Sequence, residues 1–379
     1  MCKTATAVKG PLVTNAVFPH TSTSDRKKKQ SQRDERYALQ AKMQWDLVGN
    51  RRVNGCTRCR IDRTKKIAAV LKRQADGSLV SYYANAQKCG SVWLCPVCSN
   101  KIRNVRAKEM TEVITGHIDS GHGALVSLLT LSHHRGSTLA QTLGHIESAW
   151  SKMTRHRYFK AFRDRHGIVG YIKSLEVTHG LNGWHPHYHL IWLTETPVSE
   201  RQRQSMDAEL FGIWSKYVTN HTDRTVTRQA NGLEQIKSGR AIGNYLSKTI
   251  AYELTHGHVK NGKKSGQRTP FQIASDYFET GDAADEALWN EYEKAIKGRH
   301  FVTWSRSLRD LRTDARTDEE ISEAEVDGVE VARVEIPDQY RVRGWQNSTK
   351  RSEILSVLED DGPLALNAYL QQLIKRQDE

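Results

Sequence analysis

His185-Pro186-His187-Tyr188-His189-Leu190-Ile191-Trp192-Leu193 places a histidine at every second position and then runs straight into an apolar segment. On an extended strand, side chains at i and i+2 leave the same face about 6.6 Å apart. Imidazoles spaced in this way can grip one metal ion while the strand behind them sits in a hydrophobic core. Chance clustering on a surface hairpin is the alternative, in a chain with 16 histidines.

The residues upstream complete the pattern. Ile168–Thr178 reads as a strand and Gly180-Leu181-Asn182-Gly183 as a turn, so the histidine strand returns as the second arm of a hairpin. The first arm carries Glu176. A carboxylate beside two imidazoles makes a two-histidine, one-carboxylate set, with two of the same-face residues His185, His187 and His189 as the imidazoles. Oxygen and imidazole donors suit Mg²⁺ or Mn²⁺, which polarise phosphoryl oxygens.

Further out, Leu125–Ser132 reads as a buried strand, and Ser137 or Thr138 caps a helix running toward Phe162. Ser199 caps another to about Val218. A short strand at Gly232–Ile236 precedes a helix from about Arg240 to Leu254. The order β-α-β-β-α-β-α implies an α+β fold: an antiparallel sheet with helices on one face, ferredoxin-like. On the last helix, Tyr245, Lys248 and Tyr252 fall on one side. A tyrosine can attack a DNA phosphate, and a neighbouring lysine can stabilise the phenolate or the developing charge. Alone, such a stripe is more often an amphipathic surface; it gains weight beside a metal site. Gly257-x4-Gly262-Lys263 approaches a phosphate-binding loop, but Lys264 stands where Ser or Thr should hold Mg²⁺.

Five of the six cysteines lie within residues 56–98, as Cys56-Thr57-Arg58-Cys59, Cys89 and Cys95-Pro96-Val97-Cys98. Two C-x-x-C pairs around a short β-like segment make a zinc-ribbon-like pattern with four thiolates on a structural Zn²⁺. Cys89 is spare and can replace one of the four. Trp93 and Arg58, Arg60, Arg63, Lys65 and Lys66 make this module a candidate DNA-contact surface. Residues 1–110 hold 23 Lys and Arg against 7 Asp and Glu, while the remainder holds 34 against 36. A basic N-terminal third implies a polyanionic partner.

Four regions follow: a disordered basic segment over 1–45, a cysteine-rich DNA-contact module over 46–120, the sheet domain over 121–310, and an acidic linker with a small C-terminal unit over 311–379. No apolar run reaches the length of a membrane span, and the N-terminus lacks an apolar signal segment, so a cytoplasmic protein is expected.

Taken together, these residues resemble the rolling-circle replication initiators of small bacterial plasmids, within the HUH endonuclease superfamily. The likeness rests on Cys89…Cys95-Pro96-Val97-Cys98, Leu128–Ser132, Glu176-Val177-Thr178 with Gly183–Leu190, Tyr245-x-x-Lys248 and Gly298–Ser305, and spans about residues 56–310. It implies that His187, His189 and Glu176 hold the metal, with His185 assisting, that Tyr245 is the nucleophile and Lys248 its basic neighbour. The resemblance also implies nicking of one strand at a plasmid origin, single-stranded or hairpin at the nick and duplex at the binding site. It leaves a 5′-phosphotyrosine and a free 3′-OH, which host helicase and DNA polymerase then use. Some members carry a glutamate four residues before the nucleophile; here that position is Ala241, and Tyr252 is the candidate second nucleophile. An HUH-type transposase and a non-catalytic zinc-ribbon regulator are the alternative readings.

Overall fold

The structure is a computed structural model describing residues 23–132, 136–236, 266–343, 345 and 348–378. Its strands are β1 (Ala68–Arg73), β2 (Leu79–Ala84), β3 (Gly123–Leu129), β4 (Ile168–Gly180), β5 (Gly183–Thr194), β6 (Leu233–Gln235), β7 (Val302–Trp304) and β8 (Val329–Glu335). They form a five-stranded sheet of order β6-β3-β5-β4-β7 and a three-stranded sheet of order β2-β1-β8, both with antiparallel pairing.

The long β4–β5 hairpin organises the larger sheet. Gly183 closes its turn with φ +90°, a left-handed conformation that suits glycine. Cross-strand partners share a face, and the register sets Glu176 opposite His187, Ser174 opposite His189 and Thr178 opposite His185. On β5 the even residues Trp184, Tyr188, Leu190 and Trp192 enter the main core. The helices Leu139–Arg155, Arg157–Arg165 and Glu200–His221 cover that face, contributing Ile146, Trp150, Phe159, Phe162, Met206 and Trp214. Thr138 and Ser199 cap the first and third of these with capping boxes, as their sequence leads one to expect.

The odd residues of β5 face the other way. Ile191 and Leu193 pack with Ile172, Ala124 and with Met110, Val113 and Ile114 of the helix Pro96–Asp119. Helices therefore cover more than one face, which corrects the expected single layer: this end of the second face is too apolar to stay wet. The histidine end of the same face carries polar side chains instead. Pro186 fits there because Leu175 donates its N–H to Phe301 on the β7 side, so Glu176 and His187 turn their backbone groups toward each other. The Pro186 nitrogen then points to the β3 side, beyond the last β3–β5 pair, Leu129 with Tyr188.

The chain ends differ from their sequence reading. Residues from Thr23 to Asp46 form one helix instead of a disordered segment. Its polar residues are held by tertiary contacts: Gln44 Nε2 donates to the carbonyls of Val53 and Cys56 at 2.8 and 2.9 Å, and Arg33 pairs with Glu359 at 2.8 Å. The acidic stretch is docked, not a free linker. Arg106 meets Asp318, Arg52 meets Glu323 and Lys72 meets Glu325. β8 then pairs with β1, and Tyr37, Ile67, Leu71, Tyr83, Trp345, Ile354 and Leu370 share one core. A two-stranded hairpin is marginal by itself, so β1–β2 needs these distant segments to bury its apolar face. Among the described residues, no helix is long and apolar enough to cross a membrane.

Candidate functional site

Two groups of metal-ligating side chains occur among the described residues. In each, the ligand atoms lie within 4.8 Å of one another. The first is Glu176, His187 and His189. Glu176 Oε2 lies 3.1 Å from His187 Nε2 and 2.6 Å from His189 Nε2. Ligands about 2.1 Å from one ion and at right angles to each other lie about 3.0 Å apart, so this spacing fits one edge of an octahedral shell. The carboxylate is 13% exposed and the imidazoles 9% and 17%, which leaves a narrow opening to solvent.

His187 Nδ1 lies 3.1 Å from the His185 carbonyl oxygen. A carbonyl only accepts, so Nδ1 donates to it, and Nε2 is the ring nitrogen that faces Glu176. Burial raises the Glu176 carboxyl, but the His187 and His189 imidazoles outweigh it and hold the group well below the usual carboxylate range. His185 flanks the group on the same face, its ring 5.2 Å from that of His187, and stands outside the clustered ligand atoms.

The second group is Cys56, Cys89, Cys95 and Cys98, all buried. Cys56 and Cys98 sulfurs lie 3.5 Å apart, and Cys95 and Cys56 sulfurs 3.8 Å apart. Four thiolates about 2.3 Å from a tetrahedral ion sit about 3.8 Å from one another, so the donor set fits. Cys95 is the N-cap of the helix Pro96–Asp119, with Pro96 in its first turn, so the C-P-x-C sequence itself puts two sulfurs at a helix start. That end of a helix favours negative charge. Hydrogen bonds from Cys56, Cys89 and Cys95 hold the Cys98 thiol well below its usual range, whereas burial pushes the Cys95 thiol well up.

Cys59 departs from the expected set. Thr57 adopts φ +59°, its side chain bonded to Gln40 and Arg351 and its backbone to Gln87. This left-handed turn fixes Cys59 by backbone bonds to Gly55 and Gln87 and leaves its thiol exposed. Cys89 fills the fourth position, just before Gly90 at φ +68°. Trp93 is not a DNA-facing residue either. It is buried, its indole N–H donating to the Arg299 carbonyl at 2.8 Å.

Tyr245, Lys248, Tyr252 and Ala241 lie outside the described residues, as does the glycine-rich stretch 257–264. The anchors on either side are described. Ile236 donates to the Ala124 carbonyl at one end of the sheet, and Arg268 exchanges backbone bonds with His179 at the other. Glu176, His187 and His189 lie between these anchors along the hairpin.

Residues 81–351 match the model of the replication protein family. "Protein rep" of Streptomyces lividans is 26% identical over 337 residues, covering 70% of this chain and 73% of that protein. "Neomycin resistance protein" of Streptomyces cyanogenus is 28% identical over 237 residues, and this chain spans 54% of its length. No solved structure matches the chain.

Proposed function

The chain belongs to the replication protein family, and from that premise we propose that it initiates plasmid replication by nicking one strand of the origin and later rejoining it. The observation that carries the reading is the Glu176, His187 and His189 group, three convergent donors on one face of the central hairpin. A divalent Mg²⁺ or Mn²⁺ ion bound there would polarise a non-bridging oxygen of the scissile phosphate.

The rest of the chemistry belongs to side chains. Tyr245 attacks phosphorus through its phenolic oxygen, the bond to the 3′ oxygen breaks, and that oxygen takes a proton. The products are a 5′-phosphotyrosine and a free 3′-OH that a host polymerase extends, after a host helicase opens the duplex. Lys248 holds the phenolate and balances charge on the phosphorane. Tyr252 serves as the second nucleophile when the circle is closed, since Ala241 cannot activate water. Glu176 fixes the two imidazoles, and the His185 carbonyl fixes the His187 tautomer. Cys56, Cys89, Cys95 and Cys98 would hold a structural Zn²⁺ that ties the residues flanking the β1–β2 hairpin to the start of the helix Pro96–Asp119.

The test is a denaturing gel of labelled single-stranded origin DNA with Mn²⁺. Wild type yields a protein-linked product, and Tyr245→Phe abolishes it while origin binding persists. An adduct that survives Tyr245→Phe would overturn the assignment, and a product formed equally well with chelator would overturn the metal's role.

A further inference from the structure

Charge is near balance over residues 111–379, yet between Lys152 and Arg165 the sequence holds six Lys and Arg and one Asp. The fold gathers these cations on the outer surface of the three helices behind the central sheet. Lys152, Arg155, Arg157 and Lys160 are exposed, and Lys216 joins them from the helix Glu200–His221. Among the described residues none of these five pairs with a carboxylate. The nearby Glu209 is engaged by Arg165 and His166.

Tyr158 stands in the middle of them, 46% exposed. Lys216 Nζ and the Arg157 guanidinium lie 5.0 and 5.4 Å from its ring centre, and the His156 ring 4.7 Å. Two shallow grooves of about 380 and 430 Å³ flank this ridge, with Tyr217 in the lining of both. Like charges held around a solvated ring repel one another, and a polyanion relieves that repulsion.

We propose that this ridge is a second DNA site, which holds single-stranded DNA by phosphate contacts and by stacking a base on Tyr158. An exposed ring flanked by cations matches the way single strands are held without sequence readout; in a duplex the base faces are already covered. The ridge lies behind the face of β5 opposite to Glu176, His187 and His189. A strand bound here is therefore a different segment from the one presented to those ligands. The proposal rests on DNA being the substrate, but its test reads binding alone, so it can fail while the nicking reading stands.

The test uses fluorescence anisotropy with the full chain and a labelled single strand of mixed sequence, across a salt series. Replacing Lys152, Arg155, Arg157 and Lys216 together by Ala should flatten the log–log salt slope by up to about 3, at about 0.7 per phosphate lost. Tyr158→Ala should weaken binding about 5- to 100-fold, and Tyr158→Phe should keep it, because stacking needs the ring and not the hydroxyl. Both tyrosine variants change an exposed side chain, and thermal melts check that they fold. An unchanged slope in the fourfold variant would overturn the proposal. So would equal losses on single-stranded and duplex DNA, or a Tyr158→Phe as weak as Tyr158→Ala.

Discussion

The two ligand groups differ in chemistry, burial and origin in the chain. Glu176, His187 and His189 are oxygen and nitrogen donors on two adjoining strands, partly open to solvent. Cys56, Cys89, Cys95 and Cys98 are four buried sulfurs gathered from two loops and a helix start. A closed tetrathiolate shell leaves no position for substrate, so it can only hold the fold. A three-donor set with a narrow opening to solvent leaves positions for water or phosphate, which is what chemistry needs. The two groups therefore differ in the softness of their donors and in access, the properties that separate structural from catalytic metal sites.

If that division is right, the largest effect comes from the thiols. Cys98→Ser should lower Tm by at least about 10 °C, measured by calorimetry, because binding energy at a structural site is folding energy. His189→Ala should cut nicking roughly a thousandfold and shift Tm by only a few degrees, read from initial rates and melts. A loss of fold in His189→Ala equal to that of Cys98→Ser would erase the distinction. A pH series sharpens it further. Glu176 has a folded pKa below its unfolded value, so in metal-free protein its contribution is full above about pH 5 and is lost as pH falls toward the folded value. The stability gap between wild type and Glu176→Gln should therefore shrink on acidification; a constant gap would contradict it. The smallest effect is Cys59→Ser, within about 0.5 kcal/mol in denaturant melts, because the Cys59 thiol is exposed and outside the shell.

The same contrast explains what could be read from the sequence. The histidine strand and Glu176 sit on one hairpin, so period-2 spacing and a short turn bring them to one face with no long-range information. The capping residues Thr138 and Ser199 were legible for the same local reason. The thiol shell was only half legible. Cys95 and Cys98 follow from their helix start, but the exchange of Cys59 for Cys89 depends on Thr57 being locked by Gln40 and Arg351, residues far away in sequence. The helix Thr23–Asp46 and the pairing of β8 with β1 were hidden likewise. Gln40, Gln44 and Arg33 look solvated until their distant partners are known, and the sequence offers Val329–Ile336 as a strand within the acidic linker but not the β1 strand it pairs with.

In the proposed division, the Glu176, His187 and His189 group holds an exchangeable ion for chemistry and the four cysteines hold a fixed one for structure. Elemental analysis combined with a Mn²⁺ titration followed by electron paramagnetic resonance tests both at once. One tightly held zinc and one exchangeable Mn²⁺ per chain are expected in wild type, with His189→Ala losing the Mn²⁺ and keeping the zinc. Undiminished Mn²⁺ binding in His189→Ala, or zinc lost together with it, would contradict the account.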